Sequence, residues 1–395
     1  MKTGKQLIIR SAFVMIALGA LSACDDNDNN TEILTDPRLQ APSPDLTNIY
    51  QIDATSGGLG VATNSLANKY TYFNLETGAV VELNDATAAT SNDWHIAFKR
   101  TRTKINGGVS GPGSVTGALA DSQADFYTAE GEPDTSVFLN SSTDAEQTAF
   151  DTITDINGLN FVSDRHIAAI VGDGGNESWW SYNPALHSVE AAPDNWWLVK
   201  SAAENSYAKL HVTYIEQTNR EISFELFIQA DGESVFSSTA TNYTAIIGSA
   251  GGSKCYDIDS RSEIDCSTAS NDWDLKVEVS SDGRSWNIWS NGGIYGDGKG
   301  GVFWGVDAAD ADNYVSGTTT SSGFNFSAHY KPDTTGGLFV DNNWYEYSLE
   351  GRHKLWPNYR VYAIDTGTGQ YKLQILSFYD DADTSGMIKF RYESL

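Results

Sequence analysis

Cysteine, methionine and basic residues are scarce in this sequence. Three cysteines and three methionines occur in 395 residues, and 25 Lys and Arg stand against 52 Asp and Glu, for a formal net charge of −27. A surface this acidic repels the phosphates of nucleic acids and the head groups of anionic lipids. We therefore expect no nucleic-acid partner. The two cysteines in the body of the chain are too few to predict a metal site.

Signatures of catalytic sites are absent as well. We find no GxSxG, no HExxH, no EF-hand spacing and no other catalytic constellation. GDGKGG, from Gly296 to Gly301, matches the spacing GxGxxG, but it runs into the strand-like GVFWGV where a dinucleotide site needs a helix. We interpret these glycines as loop residues and expect a binding protein, not an enzyme.

Long apolar runs are missing after residue 24, and the one before it is short. A basic stretch over residues 1–10 precedes the mostly apolar segment 11–21, which is too short to span a membrane as a helix. LSAC, ending at Cys24, matches a lipobox. This pattern predicts a lipoprotein signal peptide over residues 1–23, with lipid on the thiol and amine of Cys24. The alternative is an ordinary cleaved signal peptide with a chance cysteine.

The segment after the predicted cleavage site has little to bury. Residues 24–48 are polar and acidic and contain proline, so we expect a disordered tether. Several acyl chains hold a protein on a membrane far more firmly than one. The predicted signal peptide contains Lys2, Lys5 and Arg10 but no acidic residue, so its removal makes the net charge still more negative. These features predict a soluble body that is attached to the membrane through its lipid anchor.

Cys255 and Cys266 are the two cysteines of the body. The sequence between them, CYDIDSRSEIDC, reads as strand, turn and strand, which brings both ends together across a hairpin. In an exported chain such a pair is more often a disulfide than two free thiols. We therefore predict a disulfide between them.

The tetrapeptide SNDW occurs twice, in SNDWHIAF and in SNDWDLKV. Apolar and polar residues alternate after each copy, as in a strand with one buried face, and Ser, Asn and Asp favour the preceding turn. We predict that Trp94 and Trp273 enter a core. The residues that follow them, His95 and Asp274, are expected on an exposed face.

The similarity between these two regions extends in both directions. YFNLETGAVVEL corresponds to CYDIDSRSEIDC, and an Asn-Gly-Gly follows each SNDW copy. Further on, the segment from Trp179 corresponds to the segment from Trp344 at a similar offset. This pattern indicates a tandem duplication of a unit of roughly 160–190 residues. With the join near residues 230–245, we predict a first domain over residues 49–235 and a second over residues 236–395.

Short alternating segments, separated by Gly, Asn, Asp and Ser clusters, dominate the rest of the chain. The clearest predicted strands are 197–200, 209–214, 222–228, 372–379 and 387–392. The best helix candidate is SSTDAEQTAFDTI, with Ser142 or Thr143 as its cap. We predict an all-β fold of two tandem, mainly antiparallel, β-sandwich-like domains.

Four of the six histidines flank an aromatic pair that occurs once in each repeat. His166 and His329 precede the pair, and His187 and His353 follow it, at similar distances in the two repeats. Two histidines at similar places in each repeat can bind a metal ion or a haem iron. The alternative is that they are ordinary loop residues of a diverged duplication. His211, like His95, is expected on the surface.

Together these segments resemble the HmuY family of bacterial haem-binding lipoproteins. The resemblance rests on YFNLETGAVV, WHIAF, the Asn-Gly-Gly loop, a Trp-x-x-Tyr segment with a downstream His and Pro, YAKLHV or YKLQIL, the lipobox and the acidic tether. It covers nearly all of the chain after Cys24, as two copies. It implies an all-β domain that captures haem outside the cell through two axial ligands and passes it to a TonB-dependent receptor.

The resemblance suggests His187 and His353 as iron ligands, with His166 and His329 as second ligands. In the family pattern one axial histidine follows the Trp-x-x-aromatic segment almost at once, whereas Asn-Pro and Ser-Leu occupy those places here. Met387 is the one methionine after the lipobox, so methionine is not an easy substitute. This departure favours an alternative function, in which a surface lipoprotein binds a receptor, another protein or a glycan without haem.

The family resemblance also implies a place in the cell. It predicts a lipid-anchored protein of the cell envelope, at the outer membrane and exposed at the surface. Asp25 directly follows Cys24, and in some bacteria an Asp at that position retains lipoproteins in the inner membrane. The sequence leaves both membranes open.

Overall fold

A computed structural model describes residues 48–56, 69–266 and 272–395. The predicted signal peptide, Cys24 and nearly all of the predicted tether lie outside the described residues, as do Ser270 and Asn271 of the second SNDW copy. None of the described helices is long and apolar enough to cross a membrane.

The first half of the described chain contains twelve strands. In chain order they are β1 (Ile49–Asp53), β2 (Thr71–Asn74), β3 (Ala79–Val81), β4 (Ile96–Lys99), β5 (Arg102–Ile105), β6 (Thr116–Asp121), β7 (Arg165–Ile167), β8 (Trp180–Asn183), β9 (Ser188–Ala191), β10 (Asn195–Lys200), β11 (Tyr207–Glu216) and β12 (Glu221–Gln229).

The second half of the described chain contains another twelve. They are β13 (Thr241–Ile246), β14 (Gly252–Asp257), β15 (Ser262–Ile264), β16 (Leu275–Val279), β17 (Trp286–Ser290), β18 (Gly301–Asp307), β19 (Thr334–Gly336), β20 (Tyr345–Tyr347), β21 (Leu355–Pro357), β22 (Val361–Asp365), β23 (Gln370–Tyr379) and β24 (Ser385–Ser394). All five segments predicted as strands lie within these elements, and the all-β, antiparallel class is confirmed.

Helices are few and short. They are α1 (Asp85–Ala88), α2 (Thr135–Asn140), α3 (Gln147–Thr152) and α4 (Leu338–Asp341). The predicted helix near residue 141 is α3, which begins only after Glu146, because Ser142 forms a turn of its own by accepting a hydrogen bond from the backbone N–H of Ala145. The predicted caps Ser142 and Thr143 are therefore not the N-cap.

The chain folds into two compact units that differ from the predicted domains. Unit 1 contains the described residues up to Arg165 together with Gly336–Leu395, and unit 2 is the continuous segment His166–Thr335. The predicted boundary between residues 235 and 236 lies inside unit 2. The chain leaves unit 1 after Arg165 and returns to it at Gly336, so unit 1 is built from both ends of the described chain.

The two units have the same sheet topology. Unit 1 contains a five-stranded sheet of order β1-β24-β23-β22-β6, a four-stranded sheet of order β3-β2-β4-β5, and the pair β20-β21. Unit 2 contains β13-β12-β11-β10-β18, β15-β14-β16-β17, and the pair β8-β9. A further pair joins β7 and β19, at the two places where the chain passes from one unit to the other. Each strand of one half thus has an equivalent twelve strands away.

Each unit combines strands from both halves of the sequence. β1 pairs with β24 and β6 pairs with β22, whereas β12 pairs with β13 and β10 pairs with β18. If each half had closed on itself, β1 would pair with β12 and β6 with β10. The halves have therefore exchanged equivalent strands.

The large sheet and the four-stranded sheet of each unit pack face to face. In unit 1 the core joins Phe73 and Phe98 of the smaller sheet to Leu373 and Phe390 of the larger one. In unit 2 the core includes Trp197, Leu210 and Phe224 from the larger sheet and Val277 and Ile288 from the smaller, among others. Two sheets that share one apolar layer form a β-sandwich, as the alternating pattern predicted.

Candidate functional site

The SNDW turn and the Asn-Gly-Gly loop lock together in both units. In unit 1 the Asn106 side chain donates to the carbonyl oxygen of Trp94 at 2.8 Å, and its own oxygen accepts from the N–H of Gly113 at 3.1 Å. In unit 2 Asn291 forms the equivalent bonds with Trp273 at 2.7 Å and Gly298 at 3.0 Å. Both tryptophans are buried, as predicted. These two motifs therefore stabilise the fold.

His95 and Asp274 are buried, so their predicted exposure is wrong. The outer face of the four-stranded sheet is covered as well as its inner face, and His95 is 7 % and Asp274 2 % exposed. The ring Nδ1 of His95 accepts from the N–H of Leu75 at 3.1 Å. A carboxylate oxygen of Asp274 accepts from the equivalent N–H of Ile258 at 2.7 Å. Two different side chains thus satisfy the same buried backbone donor.

His187 and His353 occupy equivalent turns, one in each unit. His187 lies between β8 and β9, and its Nδ1 is 3.0 Å from the hydroxyl of Tyr182. His353 lies between β20 and β21, with its Nδ1 2.8 Å from the hydroxyl of Tyr347. Each tyrosine is the last residue of the Trp-x-x-Tyr segment. The predicted ligands are thus brought together with that motif, which sequence spacing alone did not show.

The backbone at both histidines is in the left-handed region. The φ angles are 52° at His187 and 57° at His353. Non-glycine residues adopt this conformation only in a few per cent of cases, and glycine or asparagine adopts it more readily. Both turns nevertheless contain a histidine with the same tyrosine contact, and both histidines are exposed. This combination points to a surface role for the imidazoles.

His166 and His329 do not occupy equivalent positions. His166 lies in β7, with its Nδ1 3.1 Å from the Tyr295 hydroxyl and its ring against Trp289. His329 ends a short 3₁₀ turn ahead of β19 and stacks near Phe324. Burial lowers the pKa of both imidazoles. The neutral form, which can bind a metal, is therefore favoured in each.

The predicted ligands are distributed differently over the two units. His353 belongs to unit 1 and His329 to unit 2, because the halves are exchanged. His166 and His187 are both in unit 2, yet among the described residues no hydrogen bond or ring contact connects them. The structure thus brings His187 and His353 each together with a tyrosine, a contact that the sequence did not predict.

His211 is half-buried in a stack instead of lying free on the surface. Its ring lies 3.8 Å from that of Trp196, centre to centre, and its Nδ1 and Nε2 face the carbonyl oxygen of Pro193 and the carboxylate of Glu225. Its side chain is 12 % exposed. Both ring nitrogens are thereby occupied, so His211 is not available as a ligand.

A cleft of about 550 Å³ lies in unit 1 beside β1, β2 and β3. The described residues that line it include Asp53, Lys69, Tyr70 and Glu82. The four candidate histidines are not among them. The predicted iron ligands therefore do not line this cleft.

Unit 2 contains a close group of three carboxylates. Oxygens of Asp257, Asp259 and Asp274 lie within 4.8 Å of one another. Both oxygens of Asp274 already accept backbone hydrogen bonds, from Ala202 and Ile258, each at 2.7 Å. Burial, with a smaller contribution from the two neighbouring carboxylates, raises the pKa of Asp274 to about 7. Asp274 is therefore a structural hydrogen-bond acceptor, and Asp257 and Asp259 are its more exposed neighbours.

Comparison with known proteins identifies the first half of the chain. No curated protein matches the sequence. Residues 67–226 match the family described as HmuY protein. The matched segment begins just before β2 and ends within β12, so it contains the first SNDW turn, its Asn-Gly-Gly loop and the Tyr182–His187 turn. This match supports membership of the HmuY family for the segment 67–226.

Proposed function

We propose that this chain is a lipid-anchored extracytoplasmic protein that captures haem or a related iron compound and passes it to a TonB-dependent outer-membrane receptor. One observation carries the proposal: the segment that matches the HmuY family includes an exposed histidine next to a tyrosine in a left-handed turn of unit 2, and unit 1 contains an equivalent turn. The sequence pattern and the family match support the anchor at Cys24 and the outer-membrane location.

The donor atoms of the two turns suit a haem iron. Imidazole is a common axial ligand of haem, and a ligating histidine usually donates its second N–H to a neighbouring oxygen, which fixes the ring. Here the tyrosine hydroxyl lies next to Nδ1 in both turns. Among the described residues no hydrogen bond uses Nε2 of His187 or His353. This leaves Nε2 available to an incoming iron.

In this role each residue of the turn has a separate task. The haem supplies an iron centre that accepts a nitrogen lone pair. In the tautomer that binds iron through Nε2, Nδ1–H would donate a hydrogen bond to the tyrosine oxygen, which keeps the lone pair on Nε2. Iron binding would use the neutral imidazole. Exposure of the turn favours release to a receptor.

Haemin titration of the chain without its predicted signal peptide tests this proposal. We expect a saturable change of the Soret band with two sites per chain, one site in either His187→Ala or His353→Ala, and none in the double variant. His211→Gln is the matched control, because glutamine stands at the equivalent position 374, and it should retain both sites.

Two results would contradict the proposal at different levels. Absence of any saturable Soret change in the unaltered chain would exclude haem capture. Retention of both sites in the double variant would show that the ligands lie elsewhere, and His166→Ala and His329→Ala would then be examined in the same titration.

A surface-interaction function without haem is the second candidate. The β8–β9 turn exposes Leu186 by 70 % and Tyr182 by 50 %, and exposed apolar side chains of this size are common at protein contacts. In that case haemin would not bind. Affinity capture from outer membranes would instead recover a partner that is lost in Leu186→Ser.

A further inference from the structure

The hairpin β4–β5 of unit 1 concentrates positive charge in a strongly acidic protein. KRTRTK, residues 99–104, contains four of the 25 basic residues of the chain. Lys99 ends β4, and Arg102 and Lys104 lie on β5, where the registered pairs are Lys99–Arg102 and Ala97–Lys104. We call Lys99, Arg102 and Lys104 the basic face.

The three cations of the basic face converge on one aromatic side chain. The ammonium nitrogens of Lys99 and Lys104 lie 4.5 and 4.4 Å from the ring centre of Tyr70, so they are less than about 9 Å apart. Burial raises the pKa of the Tyr70 phenol, and the positive charge of the neighbouring Arg102 opposes this rise. The ring holds the charges close together, although like charges repel.

The basic face forms no close ion pair with a carboxylate of the described residues. Elsewhere several basic side chains are paired, for example Lys254 with Glu263 at 2.6 Å and Lys372 with Glu393 at 3.3 Å. Among the described residues, no carboxylate oxygen lies within 4.0 Å of Lys99, Arg102 or Lys104. The nearest acids are already used, since Asp85 accepts from the Tyr72 hydroxyl and Asp164 from the N–H of Ile105.

The equivalent surface of unit 2 shows that the fold does not need these charges. The register of β16 and β17 places Glu278, Asn287 and Trp289 at the positions of Lys99, Arg102 and Lys104. Here the side chains satisfy one another, because the indole N–H of Trp289 donates to Glu278 at 2.9 Å and Lys276 pairs with Glu278 at 3.0 Å. Of the two equivalent hairpins, the one in unit 1 therefore has cations that form no ion pair with a described carboxylate.

We propose that the basic face of unit 1 binds a compact anion that carries carboxylate or phosphate groups. Arg102 is exposed, and its planar guanidinium can donate to two oxygens of one such group side by side. Lys99 and Lys104 are half-buried and add charge at a fixed distance from it. The convergence of all three on one ring fits a small anion, and it is independent of the Tyr–His turns.

Calorimetric titration of the whole chain with pyrophosphate and with citrate tests this inference. We expect saturable binding that weakens as ionic strength rises, and roughly tenfold weaker binding in Arg102→Gln and in Lys104→Gln, since each loses one charge-assisted contact. Binding of citrate alone, of pyrophosphate alone or of both supports the proposal and identifies the class of ligand. Lys299→Gln, an exposed lysine of unit 2, is the matched loss of charge and should bind like the unaltered chain.

Three outcomes would overturn the inference. They are no saturable binding of either anion, unchanged binding in Arg102→Gln, and equal weakening in Lys299→Gln. Because Arg102 is exposed, its substitution leaves the core intact, and an unchanged melting temperature checks this. The double variant of His187 and His353 should still bind the anion, so failure of the haem proposal would not be mistaken for failure of this one.

Discussion

His95 and Asp274 show that one backbone donor can select different side chains in two equivalent places. Each follows the buried Trp of an SNDW turn, and each accepts the N–H of the residue that follows β2 or β14. An unsatisfied buried N–H costs about 1–3 kcal/mol. The position therefore requires an acceptor more than a particular residue type, and burial lowers the pKa of His95 so that its Nδ1 is free to accept.

Asp274 makes unit 2 sensitive to pH. Burial raises its pKa to about 7 from an ordinary value of 3.8. The folded protein then binds a proton at Asp274 more tightly than the unfolded chain does. The contribution of this proton to the free energy of unfolding is therefore fully present below about pH 4 and is lost as the pH rises through 7. The asparagine of Asp274→Asn stays neutral at every pH. We therefore expect the free energy of unfolding of this variant to increase, relative to that of the unaltered chain, as the pH rises from 4.5 to 7.5.

Urea denaturation at these two pH values measures the change. The exposed Asp231→Asn is the control and should show the same difference from the unaltered chain at both. If the gap between Asp274→Asn and the unaltered chain does not depend on pH, the buried carboxylate titrates in its ordinary range and this account of it fails.

At the scale of elements, the sequence predicted strands well and their exposure less well. The alternation after SNDW predicted β4 and β16 correctly, but it implied one solvated face. In β4 three successive residues, Ile96 to Phe98, are buried. Ala97 packs with Trp94 and with Ala88 of α1 on the outer face. A short covering layer from elsewhere in the chain leaves no periodic signal, which is why His95 was assigned to the surface.

The same limit applies to the candidate site. The spacing of His187 and His353 from their aromatic pairs was visible in the sequence, whereas their tyrosine contacts depend on the hairpin turns β8–β9 and β20–β21. A contact across a turn is set by local geometry, which the spacing of the histidines along the chain did not reveal. To predict which upstream histidine shares a unit with His187 or His353, the exchange of the halves would have had to be known.

The disulfide hairpin distinguishes the two units at this scale. Cys255 and Cys266 are bonded across β14–β15, as the sequence predicted, whereas Tyr72 and Leu83 stand at the equivalent positions of unit 1. A cross-link over 11 residues should stabilise unit 2 by roughly 2–3 kcal/mol, because it restricts the unfolded chain. We expect the double variant Cys255→Ala, Cys266→Ala to lower the free energy of unfolding of unit 2 by this amount and to leave unit 1 unchanged.

Hydrogen exchange read by mass spectrometry separates the two units in this experiment. Faster exchange should be confined to peptides from β14 to β17, and a reducing agent should alter the unaltered chain but not the variant. Equal loss of protection in β2 to β5 would contradict a local effect of the cross-link.

At the scale of the molecule, the sequence indicated a duplication but not the exchange of its halves. Equivalent strands have the same apolar pattern, so the sequence does not tell whether β1 pairs with β12 or with β24. The connections along the chain account for the choice. β12 and β13 are consecutive and pair directly across residues 230–240, and short connections usually join neighbouring strands. Once β13 occupies the edge beside β12, β1 pairs with β24.

Because the halves exchange strands, the segment that matches the family is divided between the two units. Residues 67–226 form one continuous family segment, yet they contribute strands β2 to β6 to unit 1 and β8 to β12 to unit 2. We propose that each half of the chain descends from one ancestral domain, and that the compact units are combinations of the two copies. Sequence repeats and compact units then have different boundaries by construction.

Cleavage of the connection between β12 and β13 tests this organisation in the whole chain. A protease site placed at the exposed Ser234 would divide the protein into two fragments, one from each half of the sequence. Each unit would still contain strands of both fragments, joined by the pairs β1–β24, β6–β22, β12–β13 and β10–β18 and by a shared core. We therefore expect the cleaved protein to elute from a sizing column as one species and to separate only in denaturant. Separation in native buffer would mean that each half closes on itself, as in two independent tandem domains, and the exchange of strands would be refuted.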